Sequence, residues 1–187
     1  MRIVAGDFGG RRLKAVPGMQ TRPTTDKVKE AVFNMIGPYF DGGRALDLFA
    51  GSGGLSIEAV SRGMDAAVLI DRQYQAIKTI KDNVAVTKSS EKFEIIKGDA
   101  QRLMSHLAAQ QQRFDMVFLD PPYAKQQIVK TIQTIDSLGL LNPGCRIVCE
   151  TDTTAELPTM IPGFELVRRQ TYGITVITIY QKVEVEA

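Results

Sequence analysis

Val117-Phe118-Leu119-Asp120-Pro121-Pro122-Tyr123 is a short apolar run stopped by two prolines. Read as a buried strand, it puts Asp120 and Tyr123 on a stiffened turn at the strand's carboxyl end. In an open α/β sheet that is the edge where ligands bind. The plain structural alternative is that Asp120 caps a following helix and Pro121 opens it. A second stretch upstream, pointing to the same edge, favours the ligand-binding reading.

Working outward, strand and helix patterns alternate. Ala45-Leu46-Asp47-Leu48-Phe49 is a first strand, running into Ala50-Gly51-Ser52-Gly53-Gly54 and a helix through Leu55, Ile57, Ala59 and Val60. Ala67-Val68-Leu69-Ile70 is a second, ending at Asp71, with a helix from about Tyr74 to Val86. Phe93-Glu94-Ile95-Ile96 is a third, ending at Gly98-Asp99-Ala100, with a helix through Leu103 and Leu107. Asp115 to Leu119 is the fourth. A helix from about Gln126 to Leu138 leads to a fifth, Arg146 to Glu150. This alternation predicts a parallel sheet with helices on both faces and right-handed crossovers. The tail differs: Phe164 to Tyr172 and Ile174 to Lys182 are strand-like with no helix between, so they are expected to form an antiparallel hairpin at the sheet's edge.

Ahead of this core, Arg2 to Ala15 alternates around Gly9-Gly10 and reads as a small β-hairpin, with Ile3 and Ala5 inward and Arg11, Arg12 and Lys14 largely exposed. A two-stranded ribbon is marginal by itself, so it must lean on the domain or a ligand. Thr21-Arg22-Pro23-Thr24-Thr25-Asp26 supplies helix-start residues. Val28, Ala31, Val32, Met35 and Ile36 follow at helical spacing and stop near Gly37-Pro38. Two readings of this stretch stand side by side: it caps the helix, or Arg22 and the two threonines beside the helix start reach a carboxylate or phosphate of a ligand.

The chain has 187 residues, enough for one domain with a substantial core, and a net charge of +2. That charge is uneven. Residues 1 to 30 hold seven Lys/Arg against three acids, and the remainder sixteen against eighteen. A basic end on a nearly neutral body predicts a polyanion-facing patch, with a merely solvated arm as the alternative. The start carries Gly6, Asp7, Gly9 and Gly10 in place of an apolar signal segment, and no run approaches the ~18 apolar residues of a membrane span. A cytoplasmic protein without a membrane partner is expected. Cys145 and Cys149 lie four apart on one strand, ~13 Å at ~3.3 Å per residue, beyond disulfide reach, and read as buried thiols. His106 is the single histidine; it builds neither a metal cluster nor a triad, so no metal is expected.

Asp47 to Gly53 places glycines where a strand turns into a helix, which lets a cofactor approach the backbone and use its N–H groups. Asp71 is about 20 residues on, the spacing at which an acid accepts from ribose hydroxyls. Asp99 ends the third strand, where it suits an adenine amino group and the Ala100 N–H a ring nitrogen. A dinucleotide site wants a third glycine, but Ser56 stands there, and Asp47 would repel a phosphate. A cationic ligand without phosphate, S-adenosylmethionine, fits better than a nicotinamide.

These residues together resemble the class I methyltransferase pattern, and Asp120-Pro121-Pro122-Tyr123 resembles the signature of enzymes that methylate exocyclic amines. With the basic hairpin and the block from Thr21 to Asn34, the chain is similar over essentially its whole length to the RsmD family of bacterial 16S ribosomal RNA guanine-N2 methyltransferases. The resemblance implies a Rossmann-like, mostly parallel seven-stranded sheet in a single domain, 1–187, with residues 1–20 as an extension. It implies S-adenosylmethionine held by Asp47, Phe49, Gly51, Gly53, Asp71, Asp99 and Ala100. It further implies catalysis by Asp120, Pro121 and Tyr123, with RNA contacts from Arg11, Arg12, Lys14 and Arg22. The implied substrate is 16S rRNA, presented in an assembling small subunit to a monomeric enzyme. Asp71 departs from the glutamate of many relatives. DNA adenine-N6 or cytosine-N4 methylation, protein glutamine-N5 methylation, and a non-catalytic RNA-binding role are the alternatives.

Overall fold

A computed structural model describes residues 1–18, 24–122 and 127–183, and these form two compact units, Met1–Ala100 and Gln101–Ala187. In the first unit, α1 (Asp26–Ile36) precedes β1 (Arg44–Asp47), α2 (Gly54–Ser61), β2 (Ala66–Asp71), α3 (Tyr74–Val86) and β3 (Phe93–Lys97). The strands are parallel in the order β3-β2-β1, with Asp47 opposite Leu69 and Asp71 opposite Lys97. Their carboxyl ends therefore share one edge. Ala67 to Ile70 are buried in succession, as a strand covered on both faces must be. α2 packs on β1 and β2, and α3 on β2 and β3.

α4 (Ala100–Ala109) leads into the second unit, where β4 (Phe114–Leu119), α5 (Ile128–Ser137), β5 (Leu141–Asp152), β6 (Met160–Ile161), β7 (Phe164–Tyr172) and β8 (Thr175–Lys182) follow. β4 and β5 are parallel; β8 runs antiparallel to β5 and β7, and β6 to β7. The expected carboxyl-terminal hairpin is thus β7–β8. The described residues hold eight strands where seven were expected, because Pro162-Gly163 folds the two-residue β6 back onto β7. α5 buries Ile128, Ile132 and Ile135 at spacings of four and three, the stripe of an amphipathic helix. Cys145 and Cys149 are buried free thiols, and burial raises the pKa of each. Among the described residues no helix is long and apolar enough to cross a membrane.

The amino-terminal arm departs from a regular hairpin. Its ladder is a single antiparallel bridge, Arg2 with Arg12, supported by Ile3 N–H to the Arg11 carbonyl and Gly10 N–H to the Ile3 carbonyl. The reversal spans Ala5 to Gly10 and not Gly9-Gly10 alone, because α2 captures the backbone between. The Val4 and Ala5 N–H groups donate to the two carboxylate oxygens of Glu58 at 2.8 and 3.1 Å. Asp7 N–H donates to the Ser61 carbonyl and Phe8 N–H to the Ser61 hydroxyl. Gly6, at φ +88°, passes so close that a Cβ would stand 1.9 Å from the Ser61 carbonyl oxygen, so only glycine serves there. Ile3, Phe8 and Leu13 are buried.

Glu58 also receives two cations. Arg62 Nε lies 2.7 Å and Lys29 Nζ 3.4 Å from its oxygens, and Lys29 donates to the Arg2 carbonyl at 2.5 Å. The three side chains are at most 4% exposed. Burial lowers the Lys29 pKa, with Glu58 and Asp26 opposing that shift.

Candidate active site

The first unit's carboxyl edge gathers the acids and glycines that sequence spacing singled out. Asp47 ends β1 and is buried, its Oδ2 accepting from the Ser56 hydroxyl at 3.0 Å. Ser56, standing where a dinucleotide site has glycine, is therefore used to orient the acid. Phe49 is half-buried in the loop that follows. Gly51 has φ +57°, and a Cβ built on it meets nothing within 4 Å, so a ligand can approach its backbone. Gly53 caps α2 at φ +81°, and a Cβ there would crowd Leu69 at 3.1 Å. One glycine opens the site; the other lets α2 pack on the sheet.

Asp71 ends β2, half-buried. Its Oδ2 accepts from Gly51 N–H at 3.0 Å and its Oδ1 from Gln73 N–H at 2.9 Å. The Gly51 N–H expected to face a cofactor is thus engaged by Asp71, which draws the loop toward β2. A carboxylate offers about four lone-pair positions, so two N–H donors leave Asp71 able to accept from a ribose. Gly98 N–H donates to the Asp71 carbonyl at 3.0 Å, joining the end of β3 to the end of β2. Asp99 follows, exposed, immediately before Ala100 opens α4.

The glycine loop is also held from α3. Asn83, which sequence reasoning passed over, donates to the Ser52 carbonyl at 2.8 Å and exchanges two bonds with the Lys14 backbone. Asn83 stands three residues after Ile80 and seven after Ala76, on the buried stripe of α3, so a polar residue at an apolar position is the signal that could have found it.

In the second unit, Asp120-Pro121-Pro122 directly follows β4 at the end where β5 carries Cys149 opposite Leu119. Asp120 is exposed and Pro121 half-buried. The turn therefore lies at the carboxyl end of a parallel strand, as its sequence predicts. Tyr123 and Arg22 lie outside the described residues.

The arm's cations divide. Arg11 donates to the Val86 and Thr87 carbonyls at 3.1 and 2.9 Å and sits over the Phe8 ring. It closes the carboxyl end of α3, so its expected exposure is corrected: the orphan carbonyls of a helix end attract a guanidinium. Lys14 is exposed, its Nζ 3.4 Å from Asp82. Arg12 is exposed. At the start of α1, the Thr25 hydroxyl accepts from Val28 N–H at 3.3 Å, so capping accounts for Thr25.

A family described as "Conserved hypothetical protein 95" matches residues 1–181. "Putative rRNA methyltransferase YlbH" of Bacillus subtilis is 47% identical over 97% of this chain and 99% of its own length. "Ribosomal RNA small subunit methyltransferase D" of Escherichia coli K12 is 32% identical over 97% of this chain and 90% of its own. The solved structure of "Putative methyltransferase yhhF from Escherichia coli" superposes with a TM-score of 0.83 at 33% identity, covering 98% of each chain. Matched across both compact units, the chain belongs to the Conserved hypothetical protein 95 family, the RsmD family of ribosomal RNA methyltransferases.

Proposed function

We propose that this chain is an S-adenosylmethionine-dependent methyltransferase acting on the exocyclic N2 amine of one guanine in 16S ribosomal RNA. The observation that carries the reading is the pairing, in one chain of this family, of a glycine loop held by Asp71 with an Asp-Pro-Pro turn after β4. The residues fit the donor: open backbone at Gly51, a buried carboxylate at Asp47 for a cation, and spare acceptors on Asp71 for a ribose. Phe49, Gly53, Asp99 and Ala100 complete the proposed cofactor set. Bound S-adenosylmethionine supplies an electrophilic methyl group on a sulfonium.

The chain's own residues make the amine nucleophilic. The guanine N2 lone pair is delocalised into the ring, and two acceptors that grip its two N–H bonds turn that lone pair out of conjugation. Asp120 provides one acceptor and the Pro121 carbonyl the other. Tyr123 is assigned the stacking partner of an extruded base; stacking returns ~1–3 kcal/mol against an unstacking cost of a few. Fixed alignment of the reactants can remove ~7–11 kcal/mol of barrier. Asp120 then takes the proton released on methylation, or passes it to water. Arg12, with Lys14 and Arg22, is assigned to RNA phosphates, and Arg11 to holding that surface in place.

The reading takes residues 1–187 as one domain, with 1–20 as its RNA-facing extension; the family match across both units supports this. It takes the enzyme as a cytoplasmic monomer working on a partly assembled small subunit. Mass analysis of small-subunit RNA nucleosides from cells with and without this protein is the direct test. N2-methylguanosine at a single site, present only with the protein, is expected; identical profiles refute the reading. Asp120→Ala is expected to lower turnover by about 10²–10⁴-fold while leaving cofactor affinity within a few-fold. Turnover near wild type in that variant would remove the two-acceptor account.

A further inference from the structure

Asn83 lies on α3 and touches both the glycine loop and the amino-terminal arm. Its side chain is 1% exposed. Oδ1 accepts from Lys14 N–H at 2.8 Å, and Nδ2 donates to the Lys14 carbonyl at 3.0 Å and the Ser52 carbonyl at 2.8 Å. An asparagine amide has two N–H donors, and here one goes to the arm and one to the loop. The amide has one workable orientation, since the flipped form would set its oxygen against two carbonyl oxygens.

Three successive loop residues are held by three different anchors. Ala50 N–H donates to the Ile70 carbonyl on β2 at 2.9 Å, Gly51 N–H to Asp71, and the Ser52 carbonyl accepts from Asn83. The first anchor is strand backbone. Asp71 is itself fixed by Gln73 N–H. Asn83 alone of the three is oriented by the arm.

We propose that Asn83 is a positioning residue that ties the cofactor loop to the RNA-facing arm, so that the arm's seating on α3 sets the loop geometry and the affinity for S-adenosylmethionine. The proposal rests on the methyltransferase reading above. A loop held ready in its binding geometry loses less freedom when the cofactor arrives, and that difference is read as affinity. By linkage, RNA that bears on the arm strongly enough to shift it against α3 changes cofactor affinity, and cofactor changes RNA affinity by the same factor. A purely structural Asn83 would hold the arm against α3 and affect stability alone.

The test titrates S-adenosylmethionine by calorimetry into the full chain without RNA, with a thermal melt of each protein. Asn83→Asp keeps the size and the acceptor for Lys14 N–H but turns an oxygen on both the Ser52 and the Lys14 carbonyls. Lys14→Pro leaves Asn83 intact and deletes the arm N–H that orients it. Both variants are expected to weaken cofactor binding about fivefold to tenfold, the worth of one buried hydrogen bond, while melting in one cooperative transition. Wild-type affinity in both overturns the proposal. So does a loss confined to Asn83→Asp, because the arm would then play no part. If Asn83→Asp does not fold, Lys14→Pro decides by the same criterion. A wild-type chain that fails to bind S-adenosylmethionine brings down the methyltransferase reading and this proposal together; tight wild-type binding with unaffected variants brings down this proposal alone.

Discussion

The amino-terminal arm and the contact between α1 and α2 carry the same kinds of charged side chain and use them in opposite ways. In the arm, Arg12 and Lys14 stand exposed on a backbone that is itself firmly bonded. Between the helices, Lys29, Glu58 and Arg62 are sealed from water, and Glu58 holds four donors at once: two cations and two arm N–H groups. The buried cluster anchors the arm's backbone at Arg2, Val4 and Ala5, and Asn83 anchors it at Lys14. A polyanion approaching the arm meets side chains carried on an anchored backbone, so little backbone ordering is needed on binding.

Removing the hub of the buried cluster is the severest way to break that arrangement. Glu58→Ala strands Lys29 and Arg62 without their counter-charge and leaves the Val4 and Ala5 N–H groups unpaired. A loss of about 3–5 kcal/mol is expected in urea unfolding. If the arm is held by Glu58, its amides also lose hydrogen-exchange protection ahead of β1 and β2. Uniform protection across the unit would show that the arm is secured by its apolar side chains instead.

Lys29→Met sharpens the same contrast. Burial lowers the Lys29 pKa, so its charge is held at a cost, and the Glu58–Arg62 pair, 2.7 Å apart, does not involve Lys29. The expected loss is smaller than for Glu58→Ala, no more than about 2 kcal/mol. Because the folded pKa lies below the unfolded one, the wild type binds fewer protons at Lys29 than the unfolded chain does. The Lys29 contribution therefore makes stability rise with pH from the lowered folded pKa up to the unfolded value of 10.5. Lys29→Met is expected to lose that slope in alkaline unfolding series. A variant that keeps it would assign the slope to another group.

Much of this architecture was legible because helix and strand periods state burial directly. α3 spans the expected Tyr74–Val86 and β7 the expected Phe164–Tyr172. Asp47 and Asp99 are legible beside the glycines that end their strands, and Asp71 as the acid that closes an apolar run about 20 residues past the glycine loop. β5 is longer than the predicted Arg146 to Glu150: it begins at Leu141, and Asn142-Pro143-Gly144 resembles a turn. The register between β4 and β5 shifts between Phe114 and Met116, so proline and a glycine at φ +78° sit within an irregular strand. Glu58 was invisible for a different reason. Seven of the eight positions of α2 are buried, so no polar face sets its charge apart. Asn83 and Arg11 were missed or misplaced because their partners are backbone carbonyls of Ser52, Val86 and Thr87, and a sequence does not show which carbonyls a fold leaves open.

Arg11 and Arg12 bring the comparison down to adjacent residues. Arg11→Ala forfeits two carbonyl bonds at the end of α3 and the contact over Phe8, so about 1–3 kcal/mol of stability should go. Arg12→Ala touches an exposed side chain, and its effect on unfolding should stay within about 0.5 kcal/mol. RNA binding measured across a salt series should reverse the order. Losing one phosphate contact at Arg12 lowers the slope of log affinity against log salt by about one. Arg11→Ala, assayed where it remains folded, should leave that slope where it was, since its guanidinium already faces protein carbonyls. The opposite pattern, with the slope moved by Arg11 and not by Arg12, would mean that RNA displaces Arg11 from α3. The arm would then be a switch released on binding, and the anchoring argued from Glu58 would stop at Gly10.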